Sequence, residues 1–122
     1  MNASLWTCQA VLALVFTYSG LTKGTQPIST LVARGQTGVA DIPVPVVRFA
    51  ATAELLGVVG LLAPRLLHVW PVLTPIAAVG LGMIMLLAAG VHLQRREYRT
   101  ALGNAALLAL CATVAVGRFL GY

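Results

Sequence analysis

Residues 44–62 read VPVVRFAATAELLGVVGLL. These 19 residues carry two charges, Arg48 and Glu54. A helix of this length, rising about 1.5 Å per residue, reaches across the roughly 30 Å hydrocarbon core of a bilayer. Successive residues turn by about 100°. Ala50, Ala53, Glu54, Gly57 and Gly60 therefore share one stripe, with Phe49, Leu55, Leu56, Val59 and Leu62 on the other side. Small residues let membrane helices approach closely, so the stripe is a packing face. Glu54 sits near mid-depth, where a carboxylate costs about 2.5–3.5 kcal/mol to insert. It belongs inside a bundle, not against lipid.

A lone span has no bundle to face. Working outward, three more apolar runs appear at residues 3–22, 69–93 and 100–120. The whole chain has 122 residues, 59% hydrophobic and 9% charged, with a mean hydropathy of +0.91. A soluble domain carries about 25% charged residues, so eleven charges cannot cover a water-facing surface. The expected fold is all-α: one membrane domain, 1–122, forming an antiparallel up-down four-helix bundle. Residues 63–68 and 94–99 make tight connections, which set neighbouring spans antiparallel. The first connection, Lys23 to Pro43, is long, and around Pro27–Arg34 it is amphipathic enough for a short interfacial helix. The first run lacks a positive leading segment and a small-x-small cleavage site, so it reads as a retained span. Pro71 and Pro75 are expected in the first turns of the third span, where a missing N–H matters least.

The formal charge is +5. The basic residues flank the apolar runs, so the excess signals membrane topology rather than nucleic-acid binding. Lys23, Arg34, Arg48, Arg95, Arg96 and Arg99 lie at one end of the bundle, and Arg65 and Arg118 at the other. Six against two places the first end in the cytoplasm and both termini outside an inner (plasma) membrane. The two cysteines, Cys8 and Cys111, form no CxxC and read as small buried apolar residues. No metal motif is present, and no cofactor is expected.

The same periodicity locates the other interior faces. Thr74, Ala78, Met85 and His92 share a face of the third span, and Asn104, Leu108, Cys111, Ala115 and Arg118 one of the fourth. Cys8, Leu12, Val15, Ser19 and Lys23 are expected to line up in the first. Lys23, Arg48, Glu54, His92 and Asn104 all fall in the cytoplasmic half. Together they imply a polar pocket between helices, opening towards the cytoplasm. Glu54 and His92 are the candidate acid/base pair. Lys23, Arg48, Asn104 and Met85 are candidate ligand contacts. Arg48 lies about 120° from Glu54 on the helix, so it reads equally as a snorkelling anchor or a site residue.

Four segments carry a resemblance: SGLTKGTQP at Ser19–Pro27, VRFAATAELLGVVGLLAP at Val47–Pro64, HLQRREY at His92–Tyr98 and GNAALLAL at Gly103–Leu110. In this order they resemble the DoxX-like membrane proteins, over most of the chain. The resemblance implies a four-helix membrane protein with Lys23, Arg48, Glu54, His92, Glu97 and Asn104 as matching polar positions. Some members are described as partners in sulfur or thiol redox chemistry beside the quinone pool, including a subunit of thiosulfate:quinone oxidoreductase. The chain departs from the pattern at Gly24, where a Leu is usual, and in lacking the usual Trp before Pro43.

Three functions stay open on the sequence. The bundle binds an apolar, quinone-like small molecule from the lipid phase and serves redox chemistry, with a soluble oxidoreductase docking on its basic cytoplasmic loops. Alternatively, it is a cofactor-free enzyme in which Glu54 and His92 carry out isomerisation, cyclisation or epoxide opening on an apolar substrate. The third reading is a structural subunit of a larger complex. The lipid bilayer is the expected environment, and homo-oligomerisation is left open.

Overall fold

The computed structural model describes residues 2–34 and 37–121. Residues 1 and 122, and residues 35–36 of the long connection, lie outside the description. Four long helices dominate it: α1 (Asn2–Thr25), α3 (Val44–Leu66), α4 (Leu73–Gln94) and α5 (Tyr98–Phe119). A short helix α2 (Ile28–Ala33) and a 3-10 turn (Thr37–Asp41) fill the first connection. All four long helices are apolar and long enough to cross a bilayer. The chain is a multi-pass membrane protein.

Each long helix packs against two others, in the order α1, α3, α4, α5 and back to α1. Their directions alternate. The end of α1 meets the first half of α3 through Lys23 and Glu54, and the start of α1 meets the end of α3 through Gln9 and Leu61. Leu12, Phe16, Leu61, Leu81, Met85, Cys111 and Val114 form the central core. Large apolar residues such as Leu14, Phe49, Leu87 and Leu102 are more than 70% exposed, an arrangement that suits lipid and not water. Leu31 of α2 and Val39 of the 3-10 turn pack on Val47, fastening the first connection over the start of α3.

Close approach explains two of the glycines. A Cβ on Gly20 would lie 2.7 Å from Leu55 Cγ, and one on Gly57 would lie 2.7 Å from Leu81 Cδ2. These glycines set the α1–α3 and α3–α4 spacings. The small-residue stripe expected on α3 is thus a packing face, and Glu54 is fully buried beside it.

Two expectations are corrected. The third helix begins at Leu73, not Val69, and the preceding connection covers 67–72, not 63–68. Pro64 is accommodated inside α3, while His68 and Trp70 adopt positive φ and Pro71 disfavours helix at the residue before it. Pro75 alone sits in the first turn of α4. On α1 the buried face is Leu5, Gln9, Leu12, Ala13, Phe16 and Gly20. Val15 is 36% exposed and Cys8 only half-buried, because α1 turns its fully buried face to α3 and α5 together.

Candidate functional site

Lys23 ends α1 and is the hub of the site. Its Nζ lies 3.2 Å from Glu54 Oε1, and the Ser19 hydroxyl donates to Glu54 Oε2 at 3.1 Å. The buried carboxylate therefore has a donor for each oxygen, which a charge at this depth requires. Arg48 donates through a guanidinium nitrogen to the Lys23 carbonyl, placing a cation on the exposed C-terminal carbonyls of α1. Glu54 thus holds the lysine side chain, and Arg48 holds its backbone.

A second cluster closes the α4–α5 turn. His92 Nδ1 and Glu97 Oε1 are 2.9 Å apart, Arg95 Nε donates to the same oxygen at 3.1 Å, and the Thr37 hydroxyl donates to Glu97 Oε2. The Thr37 hydrogen bond first, then that from His92, hold the Glu97 carboxyl below the usual carboxylate range. An ionised carboxylate only accepts, so His92 Nδ1 carries the shared proton. The ring's other nitrogen, Nε2, is the one available to a ligand.

Between these clusters lies a cavity of about 280 Å³. It is bounded by α1, α4 and α5 and covered by Val39 and Ile42 of the first connection. Tyr18, Ser19, Lys23, His92, Thr100 and Asn104 supply its polar wall, and Phe16, Met85 and Leu107 its apolar floor. Asn104 Nδ2 is buried and has no hydrogen-bond partner among the described residues. Such a donor costs about 1–3 kcal/mol when left unmet, so an acceptor at this point is strongly favoured. Among the described residues no three His, Cys, Asp or Glu side chains converge as metal ligands. The wall is a set of hydrogen-bonding groups.

Four of the six sequence candidates, Lys23, His92, Asn104 and Met85, line this one cavity. Glu54 and Arg48 do not; both act on Lys23 from behind. Glu54 and His92, expected as an acid/base pair, each have a partner of their own, Lys23 for the first and Glu97 for the second. The cause is the helix order, which sets α1 between Glu54 of α3 and the cavity.

Periodicity also missed a polar cluster at the other end of the bundle. Gln9 is fully buried and Arg118 is 5% exposed. Arg118 Nε donates to Gln9 Oε1 at 2.8 Å, its Nη1 donates to Asn2 Oδ1 at 2.7 Å, and Gln9 Nε2 donates to the Leu61 carbonyl at 2.6 Å. The guanidinium also lies over the Trp6 ring, 5.5 Å from its centre. The available signal was Gln9 itself, a strong hydrogen-bonding amide inside an uncharged run.

The model of the DoxX-like family matches residues 7–114, most of the chain. No curated protein and no solved structure matches it.

Proposed function

The chain belongs to the DoxX-like family, and from that premise and the cavity between α1, α4 and α5 we propose that it binds a quinone-like small molecule from the lipid phase. The observation that carries this reading is the unmet, buried Asn104 amide in a wall that also holds Lys23 and His92. A ring bearing two oxygens matches that wall. One oxygen accepts from the Asn104 amide and the Lys23 ammonium. The other lies at His92 Nε2, which accepts from a hydroxyl in the reduced form. Phe16 and Met85 take the ring faces, and the lipid phase takes the tail. The volume lies near the lower bound for ligand pockets, about 300 Å³, which suits a single ring. Redox service then needs an electron source outside the chain. The exposed turn with Arg95, Arg96 and Arg99 is the surface for a soluble oxidoreductase in the cytoplasm.

The test is binding of decylubiquinone to the purified protein in nanodiscs, by isothermal titration. Saturable binding that weakens about tenfold in Asn104→Leu is expected. Equal binding by both proteins removes the reading.

The His92–Glu97 contact favours a second reading, since a carboxylate-oriented imidazole is also what a general base needs. Here His92 moves a proton on an apolar substrate in an isomerisation, cyclisation or epoxide opening, and Lys23 stabilises the developing negative charge. Glu54 is then a positioning residue. Turnover of an apolar substrate without any electron donor selects this reading over the first.

A further inference from the structure

At the end of the bundle away from that cavity, two hollows meet at Pro64. One is a polar pocket of about 390 Å³, walled by Asn2, Trp6, Arg65 and His68. Its polar side chains can all donate a hydrogen bond, and among the described residues no acidic side chain lines it. All three acidic residues of the chain, Asp41, Glu54 and Glu97, belong to the first connection, the first half of α3 and the α4–α5 turn. The other hollow is a groove of about 600 Å³ running down the lipid-facing seam between α3 and α4. Its lining is apolar throughout: Leu56, Val59, Trp70, Leu73 and Ile76 stand along it, and Gly80 leaves part of it open.

The connection 67–72 joins the two. His68 (φ 55°) and Trp70 (φ 44°) both hold left-handed backbone conformations, which cost energy for residues with a side chain. His68 lines the polar pocket and Trp70 lines the groove.

We propose that this end binds one anionic phospholipid, its phosphate in the Arg65–His68 pocket and an acyl chain in the α3–α4 groove. The charge of the pocket selects the headgroup. The groove supplies what a free phosphate ion could not use. Their shared wall at Pro64 makes the two hollows parts of one amphiphile's site. Trp6 and Trp70 flank the site, as aromatic residues do at headgroup level.

Native mass spectrometry of the detergent-purified protein tests this, with phosphatidylglycerol and phosphatidylcholine of identical acyl chains. Phosphatidylglycerol is expected to be retained about fivefold better, in line with one basic residue acting on an anionic headgroup. Arg65→Gln should erase that preference. Gly80→Leu, whose Cβ meets nothing within 4 Å, should lower retention of both lipids by filling the groove that Gly80 lines. Glycerol 3-phosphate should not compete. Equal retention of the two lipids by the unaltered protein, insensitivity to Gly80→Leu, or competition by glycerol 3-phosphate would each overturn the proposal.

Discussion

Lys23 and Glu54 form an ion pair, 3.2 Å long, in which the carboxylate is fully buried and the ammonium keeps 20% exposure at the cavity. The asymmetry decides what each substitution does. Lys23→Met strands a buried carboxylate whose remaining donor is Ser19; the cost expected is about 3–5 kcal/mol. Glu54→Gln leaves an amide that can still accept from Ser19, and a lysine that can shift towards the cavity. Thermal unfolding in detergent should therefore rank Lys23→Met as the more damaging change. The reverse order would mean that Glu54 is held by something other than Lys23.

Acid should loosen the cover of the cavity through Glu97. In an unfolded chain this carboxyl titrates near its ordinary value of 4.5, and in the fold it titrates lower. Its contribution is present above the ordinary value and is lost as pH falls through the folded one. Stability should fall with pH below about 5, and Glu97→Gln should flatten that slope. Thr37→Val removes the largest cause of the shift and should flatten it in part. Unfolding midpoints taken from pH 7 down to pH 3 read all three proteins.

Gly20→Ala and Gly103→Ala make the same chemical change in different surroundings. At Gly20 the new methyl meets Leu55 and lies 3.1 Å from the Ala51 carbonyl oxygen; at Gly103 it meets nothing within 4 Å. The first is expected to destabilise by about 1–3 kcal/mol through overpacking. The second should be neutral or gain up to about 1 kcal/mol from helix propensity. Chemical denaturation in mixed micelles compares them directly.

The orientation proposed from the charge count has a direct check. In a background without Cys8 and Cys111, a membrane-impermeant maleimide added to intact cells should label Gly121→Cys and spare Arg96→Cys. Labelling of position 96 alone would invert the protein in the membrane.

The spans were legible because length and composition suffice to find them, and the interior faces of α4 and α5 because a strict 3.6-residue period marks them. Thr74, Ala78, Met85 and His92 are all buried, as their spacing predicts. The start of α4 was not legible, since two competing prolines, Pro71 and Pro75, offer two starting points and only the chain's path between helices selects one. Of the candidate residues, Lys23, His92, Asn104 and Met85 fall on the cavity wall as a shared level predicts, but the contacts between polar groups were not legible. Depth along a helix places Lys23, Glu54, His92 and Asn104 at one level; which of them touch depends on the order of helices around the bundle, and no helical period encodes that order. Thr37 was invisible for a related reason: its partner Glu97 lies 60 residues away.

The Gln9–Arg118 contact joins residues 109 positions apart, and that separation imposes an order of assembly during synthesis. The first helix enters the membrane long before its guanidinium partner has been made. Gln9 can be satisfied in the interim by the Leu61 carbonyl, so α1 and α3 can dock as a hairpin-like intermediate while translation continues. The ring of helices can close only when α5 has been inserted, and until then the face of α1 that receives Gly117 stands open at Leu5.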